Sequence, residues 1–187
     1  MQEMALTSCH NRHKTRSLTN SKKARGDGYP NILRDQEFPI AARMGLTSDI
    51  TYLKTGEGFM YHCVIRDIVT GDVLGDHMAD RMTKELVVNA IKAMLARHEL
   101  AKGCIFHSDR GSQYTSKAVM SLLQQYGLRQ SFSRVGMPGD NAWSESFFAT
   151  MKKELIHWTH YETKEAVRAA VFEYIYCFYN VTRIQKR

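Results

Sequence analysis

The chain has 187 residues, of which 43% are hydrophobic and 24% charged, and it carries a formal net charge of +7. This length suits one domain with a single apolar core and is short for two. The composition excludes a disordered chain, a collagen-like chain and a low-complexity linker. No apolar run reaches the roughly 18 residues of a membrane helix, and no signal-peptide stretch opens the sequence, so we expect a soluble cytoplasmic protein.

The positive charge is concentrated near the N-terminus. Residues 1–34 contain two acidic side chains and seven basic ones, namely Arg12, Lys14, Arg16, Lys22, Lys23, Arg25 and Arg34. The segment is rich in Ser, Thr, Asn and Gly and cannot bury enough apolar surface to fold alone. We expect residues 1–40 to form a basic, largely irregular N-terminal arm. Its charge would suit a phosphate backbone, and it fits a solvated tail equally well.

The cysteines and histidines do not predict a zinc site. The four cysteines are scattered without a close pair, at Cys9, Cys63, Cys104 and Cys177. This pattern gives neither a disulfide framework nor a zinc knuckle. Two histidine pairs have loosely ligand-like spacing but lack a cysteine pair at zinc-finger distance, so we interpret them as surface residues.

The residues after Pro39 predict an antiparallel meander of three strands. Ile50–Leu53 is a short β-prone run, and a Gly-containing turn leads to residues 59–68, which are rich in aromatic and β-branched side chains. A second turn at Thr70–Asp72 precedes a third strand, Val73–Met78.

Helices and strands alternate beyond the meander. Thr83 is expected to cap a helix whose apolar positions recur at three and four residues, and Cys104–Phe106 is a short apolar strand. Ser116 should start another helix, closed by Gly127, before a fifth strand over Arg129–Ser133.

Two further helices complete the pattern. Asp140 or Asn141 is expected to cap a helix that runs to about His157, and Thr163 caps another with an apolar stripe. The element order βββ-α-β-α-β-α-α predicts an α/β fold with a mixed five-stranded sheet flanked by helices. We assign it to one domain, residues 41–187.

Three carboxylates occupy positions from which side chains can meet at a sheet edge. Asp49 leads into the first predicted strand, Asp109 ends the fourth, and Glu145 lies in the first turns of a helix after a flexible loop. Taken singly, each is more often a cap or a surface carboxylate. Asp140 is interpreted as a helix cap only, and spacing alone does not single out a metal site.

Four sequence blocks carry a family resemblance. In chain order they are Ser48–Tyr52, His107–Tyr114, Asp140–Phe148 and Phe178–Asn180, and 35 residues separate Asp109 from Glu145. Over about residues 46–183, the chain resembles bacterial insertion-sequence transposases with a retroviral-integrase-like catalytic core. That group typically places its second aspartate and its glutamate at this spacing.

The resemblance implies both a fold and a reaction. The implied fold is ribonuclease-H-like, in agreement with the element order. Asp49, Asp109 and Glu145 would be the catalytic residues and the ligands of two Mg²⁺ ions, with Mn²⁺ as a substitute. Hard cations take oxygen ligands, and a pair roughly 3.5–4 Å apart can clamp the attacking and leaving oxygens of a phosphodiester. The implied chemistry is DNA cleavage and strand transfer by in-line attack of water or a 3′-hydroxyl, without a covalent protein–DNA intermediate.

The implied partners are DNA and further copies of the chain. Element ends and a target duplex would be bound, and a homo-oligomer would hold two element ends together. Lys152 lies two helical turns past Glu145 and hence on the same helix face, where it could meet phosphate. Other candidates for DNA contact are Arg110 and Gln113 beside Asp109, and Lys22 and Lys23 in the arm.

Aromatic residues near Glu145 offer a second type of DNA contact. Trp143, Phe147 and Phe148 could stack on bases, but aromatic residues at helical spacing more often lie in the core. The residues 136–139 just before this helix are predicted to form a mobile flap that orders on binding DNA.

The sequence departs from the family pattern at two points. Leu46 stands where such families usually carry a tryptophan, and a basic arm precedes the core where complete members have a helix-turn-helix. We therefore expect a catalytic core without its main specificity module. Two alternatives stay open. One is a truncated, inactive remnant that only binds DNA or a partner, and the other is a ribonuclease-H-like nuclease that never joins strands.

Overall fold

The structure, a computed structural model, describes residues 28–35, 39, 41–134 and 137–183. Its centre is one five-stranded sheet in the order β3-β2-β1-β4-β5. The strands are β1 (Gly45–Thr55), β2 (Gly58–Asp67), β3 (Val73–Ala79), β4 (Ile105–Ser108) and β5 (Arg129–Phe132). Strands β1, β2 and β3 pair antiparallel, whereas β4 is parallel to both β1 and β5. The predicted mixed sheet is confirmed.

Helices cover both faces of the sheet. They are α1 (Ile32–Asp35), α2 (Lys84–Leu95), α3 (Lys117–Gln125), α4 (Ala142–Met151) and α5 (Lys164–Glu173). Helix α4 follows a 3₁₀ turn, Pro138–Asn141, and both α4 and α5 continue as π-helical turns, Lys152–Ile156 and Tyr174–Tyr179. The predicted helix to about His157 is thus an α-helix that widens at Lys152. No helix in the described ranges is long and apolar enough to cross a membrane.

Local capping fixes two of the helix starts. The Ser116 hydroxyl accepts a hydrogen bond from the Val119 amide at 3.4 Å, and the Thr163 hydroxyl accepts one from the Ala166 amide at 3.1 Å. Both satisfy an amide that the first helical turn leaves without a partner. Helix α3 ends before Gly127, whose φ of 69° is the left-handed conformation favoured by glycine.

The first strand begins earlier than the sequence predicts. It starts at Gly45, so Asp49 lies within β1 and does not precede it. The polar run Thr47–Ser48–Asp49 conceals this strand, because such residues are unfavourable in an apolar core unless they are hydrogen-bonded. Thr47 and Ser48 are fully buried, and their side chains find hydrogen-bond partners on distant parts of the chain.

Two apolar layers fix the sheet between the helices. Leu46, which is completely buried, belongs to the layer under α2 and α3. The second layer packs α4 and α5 against the opposite face and contains Phe147 and Phe148. Trp143 packs against a smaller cluster formed by Leu33, Ile68 and Ile105. These aromatic side chains of α4 therefore contribute to packing.

Part of the predicted N-terminal arm packs against the core. The Phe132 amide donates to the Pro30 carbonyl at 2.9 Å, and the rings of Tyr29 and Phe132 meet edge to face at 5.0 Å. The Ile32 amide donates to the Ser131 hydroxyl at 2.9 Å. This short segment is therefore fixed to the edge of β5. Residues 1–27 lie outside the described ranges.

Candidate active site

Two of the predicted carboxylates lie close together just beyond the paired part of β1 and β4. Strand β1 pairs with β4 as far as Thr47 and His107. Asp49 is two residues further along β1, and Asp109 comes directly after β4. The charge of Asp109 raises the pKa of Asp49, so the two carboxylates share one region. Both side chains are half-buried.

A buried hydrogen bond joins β1 to the loop that follows Asp109. The hydroxyls of Ser48 and Tyr114 are 2.9 Å apart, and both side chains are fully buried. The Cys63 thiol lies 3.6 Å from Ser48 and 3.7 Å from Tyr114. Because Ser48 adjoins Asp49 and Tyr114 belongs to the loop after Asp109, this bond fixes the spacing of the two carboxylates.

The loop that carries Asp109 is held by its own backbone. The Gly111 amide donates to Asp109 Oδ1 at 2.9 Å. Two residues earlier, the buried His107 ring bonds to the hydroxyls of Ser131 at 2.8 Å and Ser133 at 3.1 Å. Burial lowers the pKa of His107 to about 4, so the ring is neutral at pH 7. It acts as a neutral bridge between β4 and β5.

The third carboxylate comes from a helix that is tied to β1. Glu145 is exposed in the first turn of α4. Thr47 Oγ1 donates to Asn141 Oδ1 at 2.6 Å and lies 2.8 Å from the Ser144 hydroxyl. A hydroxyl has one proton, so Ser144 is the donor in the second bond. Thr47, which precedes Asp49 by two residues in β1, thereby fixes the start of α4 against the sheet.

The charges of Asp109 and Glu145 act on Asp49. The pKa of Asp49 is raised to about 7, first by burial and next by the negative charge of Asp109. The charge of Glu145 raises it further, whereas the Ile50 amide, which donates to Asp49 Oδ1 at 2.8 Å, and Lys152 lower it. Asp49 is thus about half protonated at pH 7 unless a positive charge arrives.

The donor set suits a hard divalent cation. Carboxylate oxygens are the ligands that Mg²⁺ prefers, and a cation would relieve the repulsion that raises the pKa of Asp49. Among the described residues, no three His, Cys, Asp or Glu side chains are grouped closely enough to hold a metal ion as they stand. The charge of Asp109 acts on Asp49 more strongly than that of Glu145, which lies on the exposed start of α4.

Lys152 lies beside Asp49, at the point where α4 widens. Its side chain is half-buried, and its ammonium lies 5.1 Å from the centre of the Tyr52 ring. Burial lowers the pKa of Lys152, and the nearby Asp49 charge opposes that shift. The contact of Lys152 with DNA phosphate stays a prediction.

The other predicted DNA contacts have structural partners. Arg110 donates to the carbonyls of Ser133 at 2.9 Å and Tyr29 at 3.0 Å, so it connects the Asp109 loop to the N-terminal segment. Gln113 is buried, and its amide donates to the Met82 carbonyl at 3.0 Å. Both side chains shape the loop. Lys22 and Lys23 lie outside the described residues.

Asp140 is not the helix cap that the sequence predicts. Its carboxylate accepts hydrogen bonds from the backbone and side chain of Arg134, each at 3.0 Å, and from the Asn31 amide at 2.9 Å. The Arg134 guanidinium lowers the pKa of Asp140 to about 2. The prediction was wrong because these partners compete for the carboxylate. Part of the predicted flap, Gly136, lies outside the described residues.

Sequence reasoning missed the residues that hold the carboxylates in place. Thr47, Asn141 and Ser144 connect α4 to β1, and Ser48 and Tyr114 connect β1 to the Asp109 loop. All of them lie within or next to the four blocks of the family resemblance. That proximity was the available signal, but nothing local in the sequence identifies their partners.

Comparisons with known proteins agree with this arrangement. The integrase core domain family matches the chain twice, over residues 42–138 and over residues 145–187. The transposase InsF of insertion sequence IS3A from Escherichia coli strain K12 is 39% identical over 159 residues. These residues cover 83% of this chain and 55% of that transposase. The chain therefore spans about half the length of this relative.

Solved structures share the fold at low sequence identity. A simian T-cell lymphotropic virus intasome has a TM-score of 0.66 at 14% identity, covering 96% of this chain and 60% of that one. The Mos1 transposase catalytic domain, in a structure with raltegravir and Mg, has a TM-score of 0.57 at 17% identity and covers 71% of each chain. The predicted ribonuclease-H-like fold is confirmed.

Proposed function

The chain belongs to the integrase core domain family of insertion-sequence transposases, and on that premise we propose that it cleaves DNA strands and joins them to new sites. Asp49, Asp109 and Glu145 are the proposed catalytic carboxylates. Water, or a DNA 3′-hydroxyl, attacks the phosphodiester in line, and no covalent bond to the protein forms. We propose the cytoplasm as the location.

One observation supports this proposal above all others. Asp49 and Asp109 both follow the paired part of β1 and β4, and burial together with the negative charge of Asp109 raises the pKa of Asp49 to about 7. Carboxylates crowded in this way cost stability, and groups with such shifted pKa values are found most often at functional sites. A site that recruits positive charge accounts for their position.

Divalent cations are the proposed cofactor. Asp49 and Asp109 supply the nearer oxygen ligands, and Glu145 supplies the third by turning in from the exposed start of α4. We propose two Mg²⁺ ions, with Mn²⁺ as a substitute. When bound, such ions activate the attacking oxygen and stabilise the leaving one. The Mos1 transposase structure with Mg is consistent with this choice of cation.

The chain's own residues prepare the site for this chemistry. Asp49 gives up its proton when cations bind, because their charge reverses the repulsion that raised its pKa. Lys152, whose charge acts on Asp49, orients a substrate phosphate. The bonds from Thr47 to α4 and from Ser48 to Tyr114 hold the carboxylates in register before the substrate arrives.

DNA and a second copy of the chain are the proposed partners. The net charge of +7 favours binding to phosphate backbones, and the basic N-terminal part of the sequence, with Lys22 and Lys23, contributes to that charge. Arg110 and Gln113 contribute by shaping the Asp109 loop. A pair of element ends requires an oligomer, and the intasome with the same fold is consistent with one.

The proposal is tested with the full chain and the DNA that flanks its own gene, which supplies candidate element ends. A labelled fragment with a pre-cut 3′-hydroxyl is incubated with supercoiled plasmid and Mg²⁺. We expect joined product with the wild-type protein. Asp109→Asn, which removes one cation-binding charge from a loop, should give none while keeping the wild-type circular dichroism spectrum.

The other outcomes separate the alternatives. Nicked plasmid without joined product identifies a nuclease, and DNA binding without Mg²⁺-dependent chemistry identifies an inactive remnant. Joined product formed equally well by Asp109→Asn contradicts the assignment of the site. Glu145→Gln serves as a second inactivating variant from a different structural element.

A further inference from the structure

Two aromatic side chains stand exposed beside the candidate active site. Tyr52 on β1 is 41% exposed and Phe59 on β2 is 49% exposed. Their rings meet edge to face, with centroids 5.3 Å apart and an interplanar angle of 88°. We call this pair the aromatic step. Exposed aromatic pairs of this kind either stabilise a hairpin or bind a flat ligand.

Lys152 connects the aromatic step to the carboxylates. Its ammonium lies 5.1 Å from the centre of the Tyr52 ring, and its charge also lowers the pKa of Asp49. Tyr52 follows Asp49 by three residues, or about 10 Å along an extended strand. That distance is on the order of three base-pair rises in a duplex. A strand that passes Asp49 therefore brings a base about three nucleotides further along to Tyr52, where Lys152 can meet the adjoining phosphate.

The strand edge next to Tyr52 is open. Strand β4 pairs with β1 only over Gly45–Thr47. Within the described part of the chain, β1 has no strand neighbour on that side from Ser48 onward. Asp49 and Tyr52 project from opposite faces of β1, and Lys152 reaches both across this open edge. A nucleic-acid strand can cross the edge in the same way.

The charges around the aromatic step favour an anionic ligand with flat groups. Lys54 is exposed two residues after Tyr52, and residues two apart on a strand share a face. Lys54 and Lys152 thus flank the ring with positive charge. Single-stranded nucleic acid binds to surfaces of this type, where cations hold the backbone and aromatic rings stack on bases.

We propose that Tyr52, supported by Phe59, stacks on an unpaired base next to a phosphate held at Lys152. This inference rests on the proposed function, because it assigns the DNA strand at the same site. It makes the protein a binder of frayed or single-stranded ends in preference to fully paired DNA. Base stacking on an aromatic side chain tolerates any base, so the preference concerns strand pairing and leaves sequence specificity unaffected.

The test compares two DNA probes with the full chain. One is a duplex with a short single-stranded end carrying 2-aminopurine, whose fluorescence is quenched by stacking, and the other is the same duplex with blunt ends. We expect the wild-type protein to quench the fluorescence and to bind the single-stranded end more tightly. Tyr52→Ala should weaken that binding about tenfold and remove the quenching. Tyr52→Phe should keep both.

Two further variants guard against unfolding and non-specific effects. Tyr52→Leu keeps an apolar side chain against Phe59 but has no aromatic ring on which a base can stack. It replaces Tyr52→Ala if the alanine variant is unstable, and it should show the same weaker binding and loss of quenching. Tyr126→Ala is the matched control. Tyr126 is 54% exposed at the end of α3. It lies away from the candidate active site, because nearby Arg129 pairs with Ile105, at the end of β4 opposite to Asp109. The Tyr126→Ala variant should bind both probes and quench the fluorescence as the wild type does.

Three results would overturn the inference. In the first, Tyr52→Ala and Tyr52→Leu melt at lower temperature but bind both probes as the wild type does. This result would mean that the rings only stabilise the hairpin. In the second, the variants bind DNA as the wild type does but have a different oligomeric state, which would mean that the rings contact another copy of the chain. In the third, the wild-type protein binds neither probe, which contradicts the proposed function as well.

The inference and the proposed function can fail separately. If strand joining and DNA binding depend on Asp109 but not on Tyr52, the proposed function holds and the base-stacking inference is wrong. If quenching depends on Tyr52 but the protein never cleaves DNA, the inference holds and the proposed function is wrong.

Discussion

The candidate active site has two parts that are built in different ways. Asp49 on β1 and Asp109 directly after β4 are half-buried, next to the buried Ser48–Tyr114 hydrogen bond. Glu145 is exposed on the first turn of α4, which is tied to the sheet through Asn141 and Ser144. In the sheet part, Asp49 is fixed by the backbone pairing of β1 with β2, whereas the helix part depends on side-chain bonds. The raised pKa of Asp49 therefore belongs to the more rigid part.

Removing the carboxylates one at a time should give the largest contrast between the two parts. Asp49→Asn and Glu145→Gln should both abolish Mg²⁺-dependent cleavage. Only Asp49→Asn should stabilise the metal-free protein, because it removes a buried charge from the rigid part. The gain in the free energy of unfolding should be roughly 1–3 kcal/mol at about pH 8.

The pH dependence of this gain follows from the pKa of Asp49. Folding raises that pKa from 3.8 to about 7. Between these values the folded state binds more protons than the unfolded state, so the wild-type protein loses stability as the pH rises through this window. The gain from Asp49→Asn should therefore vanish near about pH 4. Urea denaturation in EDTA, at about pH 4 and about pH 8, measures this gain in the free energy of unfolding. An equal gain at the two pH values would contradict the account.

Loosening the helix part should reduce activity while sparing the sheet part. Asn141→Ala removes the acceptor of the buried Thr47 hydroxyl, which should cost about 1–3 kcal/mol of stability. A displacement of Glu145 by about 1 Å should lower the cleavage rate on the order of 100-fold. Ser146→Ala, at an exposed site on the same helix, is the control and should change neither quantity. Wild-type activity in Asn141→Ala would show that this bond does not position Glu145.

Weakening the sheet part should have a smaller effect. Tyr114→Phe removes only the hydroxyl that bonds to Ser48, at a cost of about 0.5–1.5 kcal/mol. The pairing of β1 with β2 still holds Asp49, and the Gly111 amide still bonds to Asp109, so apparent Mg²⁺ affinity in the cleavage assay should fall only about two- to tenfold. A double-mutant cycle with Ser48→Ala isolates the bond. Strictly additive effects of the two substitutions would exclude a coupling between them.

The sequence predicts the fold well where the structure is determined locally. The meander follows from β-prone runs and turns, and the helices at Ser116 and Thr163 follow from their caps. The start of β1 was missed because its polar residues are buried by distant partners. Thr47 bonds to a residue 94 positions away and Ser48 to one 66 positions away. No short window of sequence contains such partners.

The site shows the same division between local and distant information. The motif blocks predicted Asp49, Asp109 and Glu145, and the charges of Asp109 and Glu145 act on the Asp49 carboxyl. The interpretation of Asp140 as a cap was wrong, because Arg134 and Asn31 take up its carboxylate. The exposed Tyr52–Phe59 pair was also missed. The pattern of the β-prone runs does not show which of their aromatic side chains stay exposed and meet across the hairpin.

Anomalous diffraction from crystals of the full chain soaked in Mn²⁺ tests the central claim most directly. The account predicts Mn²⁺ at coordination distance from the carboxylates of both Asp49 and Asp109, with Glu145 turned in from α4, and no such density in Asp49→Asn crystals. Mn²⁺ bound elsewhere, or density at this site that persists in Asp49→Asn crystals, would contradict it.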